Sequence, residues 1–147
     1  MKSRAVRIAT IAMVLIALPV LAFLFMSVWM APPDDLDLSR SKATANGLYA
    51  VAIAPEADAI PGNQLHSWVL TVTTPNGEPV EGATVAVDGG MPQHGHGLPT
   101  APEATAYLGE GRYRIEGVRF NMSGWWEFKF DISAAPGEDT VTFNLSL

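Results

Sequence analysis

The stretch Trp125-Trp126-Glu127-Phe128-Lys129-Phe130-Asp131-Ile132 decides the fold. Trp126, Phe128, Phe130 and Ile132 alternate with Glu127, Lys129 and Asp131. A period of two puts every apolar side chain on one face of a strand and every charge on the other. The pattern returns downstream, where Val141, Phe143, Leu145 and Leu147 alternate with Thr142, Asn144 and Ser146. Upstream, residues 64–73 place His66, Trp68, Leu70 and Val72 on one face and Ser67, Val69, Thr71 and Thr73 on the other. Leu48–Ile53, Val80–Val87, Ala104–Leu108 and Arg112–Phe120 bring the set to about seven short strands. Gly, Pro and Asn punctuate them at roughly 8–12-residue intervals. One such turn is Pro75-Asn76-Gly77, where Asn-Gly accepts a positive φ. Strands with one apolar face each bury it by packing as two sheets. The expected class is all-β, an immunoglobulin-like two-sheet sandwich over residues 47–147, preceded by one N-terminal transmembrane helix.

That helix is read from a different pattern. Ile8 to Met30 is 23 residues without a charge, interrupted only by Thr10, Pro19 and Ser27. At 1.5 Å per residue a helix of that length reaches roughly 34 Å, enough for a hydrocarbon core of ~30 Å. No polar face recurs at helical spacing, which argues against a buried core helix. Lys2, Arg4 and Arg7 precede the run and Asp34, Asp35 and Asp37 follow it. The positive-inside rule then makes residues 1–30 a cytoplasmic stub and anchor. The expected protein crosses the bacterial inner membrane once, with its C-terminal domain in the periplasm. A cleaved signal peptide is the competing reading. Its best site, Val20-Leu21-Ala22, would leave a start at Phe23-Leu24-Phe25-Met26, and the run ends in the interfacial pair Trp29-Met30. Residues 31–46 read as a tether, with room for a turn of helix around 37–43.

Composition narrows the chemistry. The 147 residues carry a net charge of −6, are 48% apolar and 16% charged, and include no cysteine. The charged fraction falls below the usual ~25% of soluble domains because the run 8–30 has none. Beyond residue 30 there are six basic residues against fifteen acidic, a net −9. Such a surface repels nucleic acid and anionic lipid. Without cysteine there is no disulfide scaffold, thiolate metal site or thiol nucleophile. No Gly-x-Ser-x-Gly elbow, phosphate loop or His-Glu-x-x-His helix occurs, and no paired catalytic carboxylates stand out, so no enzymatic activity is expected.

What remains is Gly89-Gly90-Met91-Pro92-Gln93-His94-Gly95-His96-Gly97-Leu98-Pro99, which reads as a long loop holding two of the three histidines. In an extended backbone His94 and His96 point the same way with Cα atoms roughly 6.6 Å apart, a bite able to chelate one metal. Met91 adds a soft thioether, and Met122 lies in a second segment, Phe120-Asn121-Met122-Ser123-Gly124-Trp125-Trp126. Imidazole with thioether favours Cu(I), and zinc less, since zinc prefers thiolate or carboxylate in its set. Loops of a sandwich gather at its two ends, so the two segments are expected to meet. His66 is a possible further ligand, although its parity with Trp68 also suits a half-buried histidine. Met91 and Met122 also suit gap-filling core positions. Trp125, of opposite parity to Trp126, is a candidate contact surface.

Met91-Pro92-Gln93-His94-Gly95-His96-Gly97, Gly111-Arg112-Tyr113 and Phe120-Asn121-Met122-Ser123-Gly124-Trp125-Trp126-Glu127 together resemble the YtkA-like family over about residues 47–132. These are small exported immunoglobulin-like domains, often behind one membrane helix, and related to FixH-like proteins of respiratory-oxidase assembly. The resemblance implies a copper-linked or oxidase-biogenesis role and points to Met91, His94, His96 and Met122. The expected function is a membrane-tethered periplasmic protein that handles Cu(I) or delivers it to a membrane oxidase or another copper-handling partner. The alternative is a metal-free module docking on a membrane complex through the His-Gly loop and Trp125. A third reading is a small-ligand-binding sandwich.

Overall fold

The computed structural model describes residues 2–29 and 32–147, with side chains inside the N-terminal helix described from 13 to 26. The chain divides into two units, Met1–Asp34 and Asp35–Leu147. The first contains helix α1 (Lys2–Trp29), with Pro19 inside it. Its described side chains include exposed Met13, Leu15, Ile16, Leu21, Phe23 and Phe25. The expected span 8–30 lies partly outside the described residues, as do the side chains of Lys2, Arg4, Arg7, Trp29 and Met30. Among the described residues no helix is long and apolar enough to cross a membrane.

The second unit is a two-sheet antiparallel β-sandwich of nine strands: β1 (Ser41–Ala43), β2 (Ala50–Pro55), β3 (His66–Thr73), β4 (Thr84–Met91), β5 (His96–Gly97), β6 (Glu103–Gly109), β7 (Arg112–Val118), β8 (Trp125–Ala134) and β9 (Gly137–Ser146). One sheet runs β1-β2-β3-β7-β6 and the other β5-β4-β8-β9. β8 and β9 pair from Trp125↔Ser146 to Ala134↔Gly137, which sets Trp126 opposite Leu145, Phe128 opposite Phe143 and Phe130 opposite Val141. These cross-strand pairs all face inward, the packing unit that holds a sheet to its neighbour. From the five-stranded sheet Trp68, Leu70, Val72 and Ile115 meet them, all fully buried. Trp68 and Phe128 join the sheets edge-to-face, with ring centroids 5.6 Å apart, a preferred aromatic geometry.

Two strands depart from the expected count. β1 lies in the stretch read as tether and pairs with β2 from Ser41↔Ala52 to Ala43↔Ala50, so no helical turn forms there. β5 is two residues long and pairs with the end of β4. Both are too short to carry a period. Their backbone partners, not their side chains, make them strands. The Asn-Gly turn forms as expected, with Gly77 at φ 86° and Gly77 N donating to Thr74 O at 2.9 Å.

A buried carboxylate closes the sandwich across 93 residues of sequence. Asp139 of β9, 6% exposed, accepts hydrogen bonds from Asn46 N and Asn46 Nδ2, each 3.0 Å from Oδ1, and from Leu48 N, 3.1 Å from Oδ2. Thr140 N adds a fourth at 2.9 Å. Burial works against the charged form, but the Thr44 hydroxyl and the N–H groups of Asn46, Leu48 and Thr140 outweigh it and hold the carboxyl well below the usual carboxylate range. An unfolded Asp titrates near 4. As pH falls the unfolded chain therefore binds more protons than the folded one, so the clamp's contribution is complete above about pH 5 and drains away below it. Thermal melts of the wild type from about pH 7 to about pH 3 are expected to show a falling midpoint. Asp139→Asn starts lower at neutral pH and has a flatter acid limb. Equal acid limbs in the two proteins would remove Asp139 as the cause.

Candidate functional site

The stretch read as a long loop folds as a tight hairpin. Met91, the last residue of β4, pairs with His96, the first of β5. The N–H groups of His94 and Gly95 both donate to Met91 O at 3.0 Å, and Gly95 turns the chain at φ 65°. That left-handed residue suits glycine, which has no Cβ to clash there. The two imidazoles are exposed and stack, centroids 5.9 Å apart and planes at 23°. They are not splayed along an extended strand, because Gly95 reverses the backbone between them.

His96 is oriented from two sides. Its Nδ1 lies 3.0 Å from Gly97 O. A carbonyl only accepts, so the neutral ring is assigned its proton on Nδ1, and Nε2 keeps its lone pair. The ring also sits edge-to-face on Trp126, centroids 5.8 Å apart at 70°. Trp126 is fully buried, packs on Phe120 at 5.2 Å, and donates from Nε1 to Met122 O at 3.0 Å.

Met91 is buried, 1% exposed. A Cβ on Gly124 would lie 3.0 Å from Met91 Cε. Met122 is 43% exposed and walls a cavity of about 240 Å³ with Ile60, Pro61, Phe120 and Leu147. Gly124 and Leu147 exchange reciprocal backbone hydrogen bonds of 2.7 and 3.0 Å, which fix the end of the Met122 turn. The hairpin and the turn therefore meet, joined at Trp126 and at the Gly124–Met91 contact.

His66 is placed elsewhere. Its ring packs on Phe120 at 5.5 Å and Trp68 at 6.3 Å. Phe120 and Trp126 form the chain of ring contacts between it and His96. Its Nδ1 lies 2.9 Å from Gln64 O, while Nε2 is buried without a partner. Trp125 is half-buried on the other face of β8, where its Nε1 donates to Asn144 Oδ1 at 3.0 Å. Sequence reasoning placed Trp126 in the core but missed its second task. The signal was the four-residue offset from Met122, which lets an indole N–H reach back across the turn.

A model of the YtkA-like family matches residues 42–131, more than half of the chain. The chain belongs to the YtkA-like family. No curated protein and no solved structure matches it. In this YtkA-like domain the matched region begins inside β1, ends inside β8 and contains both the hairpin and the Met122 turn.

The donor set can be tested for its fit to a metal. Among the described residues no group of three or more His, Asp or Glu is placed to hold an ion. The carboxylate nearest the hairpin in the register, Glu127, is paired with Lys129 at 2.8 Å, and the hydrogen bond to Glu127 raises the Lys129 ammonium. Both line a shallow depression with Met91, Pro92 and His96. Imidazole and thioether are therefore the donors on offer, a soft set. Gly124, at φ 122°, is where the turn comes closest to Met91. Gly124→Ala introduces a Cβ against Met91 Cε in a conformation L residues avoid, and is expected to cost more than ~1 kcal/mol. Chemical denaturation measures this, and an unchanged midpoint would show that the turn yields freely.

Proposed function

We propose that this YtkA-like protein is a membrane-tethered copper-handling protein, its domain on the outer side of the inner membrane. Cu(I) is held by Met91, His94, His96 and Met122 and passed to a membrane oxidase or another copper-handling partner. One observation carries the reading: the two segments that bear histidine and methionine are drawn together on Trp126, with Nε2 of His96 left open. Thioether needs no deprotonation and imidazole needs only its neutral form, so the set suits a soft monovalent ion.

Exposure supports exchange with a partner. His94, His96 and Met122 face solvent, where an incoming ligand can replace them, while Met91 is buried beneath. Glu127, the carboxylate that lines the depression with His96, is engaged by Lys129 at 2.8 Å, which weighs against zinc there. The uncharged run 8–30, with Lys2, Arg4 and Arg7 before it and acids after it, supports the anchor and its orientation. No bond-making chemistry is assigned.

Titration of the full chain in detergent with Cu(I), against a competing chelator, tests the reading. His94→Ala/His96→Ala and Met122→Leu are each expected to weaken binding by at least about tenfold, ~1.4 kcal/mol. Cu(I) is also expected to raise the wild-type thermal midpoint, since a ligand bound only by the folded state stabilises it. Wild-type affinity no tighter than that of the double variant would overturn the copper reading and leave the metal-free docking module.

A further inference from the structure

We infer that the end of the sandwich carrying Leu38, Leu65 and Met122 lies against the lipid surface of the membrane that holds the N-terminal segment. The inference rests on the tethered reading above and deepens it by naming what the exposed apolar side chains of the domain touch. Beyond residue 34 the large apolar side chains left exposed are Leu38, Leu65, Tyr107 and Met122. Tyr107 is accounted for within the fold, its ring packed on Tyr113 with centroids 5.1 Å apart and its hydroxyl accepting from Gly111 N. The register gathers the other three at one end. Leu65 precedes β3, whose first residue, His66, pairs with Val118, the last of β7. Met122 lies between that end of β7 and the start of β8, where Trp125 pairs with Ser146. Leu38 precedes β1 on the same side, since Ile53 N donates to Arg40 O at 2.9 Å and carries the β1–β2 pairing towards it. Asn63 N, bound to Phe120 O at 2.9 Å, ties the Leu65 loop to the Met122 turn, and the apolar cavity walled by Ile60, Pro61 and Leu147 lies at Met122.

The chain enters the domain at this same end. Asp37 is fastened to the sandwich there, its carbonyl accepting from Asn144 Nδ2 at 3.1 Å and its carboxylate paired with Lys42 at 2.6 Å. Only residues 31–36 separate Asp37 from Met30, where the uncharged run ends. Fully extended, that stretch reaches at most ~25 Å. β8 and β9, ten residues each, run roughly 33 Å, so the turns at Gly77 and Gly111 lie at the far end. A short tether therefore keeps the apolar end, not the far one, beside the bilayer. Held there at high effective concentration, the patch needs little affinity of its own. The net −9 beyond residue 30 opposes anionic lipid. The three contacts are uncharged, so a zwitterionic surface is the one they fit, with side chains entering the headgroup boundary.

The chain has no cysteine, so one introduced thiol carries a fluorophore to a single place. Gln64→Cys and Ser123→Cys label exposed neighbours of Leu65 and Met122, and Glu78→Cys labels an exposed position at the far end. Each full-length protein is reconstituted in phosphatidylcholine vesicles, with and without phosphatidylcholine bearing a doxyl quencher near its headgroup. Quenching at 64 and 123 is expected to be at least about twice that at 78, because apolar groups at the interface sit within the quencher's layer. Leu38→Ser/Leu65→Ser is expected to bring the label at 123 down to the level of the one at 78. Both positions are exposed, so the fold is kept, and neither belongs to the donor set, so Cu(I) binding is expected to stay unchanged. Equal quenching at all three positions, or undiminished quenching at 123 in the double variant, overturns the inference and leaves the patch to a protein partner. Flotation after an alkaline wash separates the two readings. If the full chain does not float with the vesicles, the tethered reading falls and this inference with it. If it floats and the three labels are quenched alike, only the lipid contact falls.

Discussion

β8 is paired on both sides, to β4 and to β9, and its side chains must satisfy both registers at once. Phe128 faces the core opposite Phe143, so Trp126 must face the same way and Trp125 and Glu127 the other. A slip of one residue would invert the whole row and put the charges inside. The orientation of Trp126 is therefore not a local choice. It is inherited from the packing of Phe128, Phe130 and Ile132, each at most 1% exposed. Whatever Trp126 arranges at the end of the sandwich is arranged by the core itself, on a strand that cannot rotate without unmaking the sheet.

This explains the uneven burial of the candidate donors. Met91 closes β4 at the last inward position and takes its burial from the core. Past it, His94 lies on the turn and His96 opens β5, both exposed, and Met122 lies on a turn fixed at its ends. A rigid floor with movable upper donors is a reasonable construction for holding an ion and releasing it. On the proposed copper reading, preorganisation below would keep affinity from being spent on ordering the site, and exposure above would leave an approach for another protein's ligands.

The sandwich was legible wherever a strand carries a strict period, as in residues 126–132 and 141–147, and wherever a turn has its own chemistry, as at Asn76-Gly77. β1 and β5 were not legible, since a strand of two or three residues is defined by its neighbour. The meeting of the hairpin with the Met122 turn followed from general sandwich geometry, but its means did not. An indole N–H aimed at a carbonyl four residues back leaves no mark in hydropathy. Nor did the histidine spacing foretell the stacked rings, because the positive φ of Gly95 turns an extended pair into a folded one. His66 kept parity with Trp68 in the sequence, yet the register shifts between them where β3 pairs with β7, and the ring settles on Phe120.

The Asp139 clamp has a kinetic consequence. It fastens the turn at Asn46, which leads from β1 into β2, to the last strand, a separation of 93 residues. Contacts this remote in sequence form late, after the entropy of closing the intervening chain has been overcome. During synthesis the strands of the five-stranded sheet emerge before β9, so the N-terminal edge waits, open and unlatched, until the final strand arrives. The interval in which that edge can pair with the wrong neighbour is set by the time taken to make and deliver the rest of the domain.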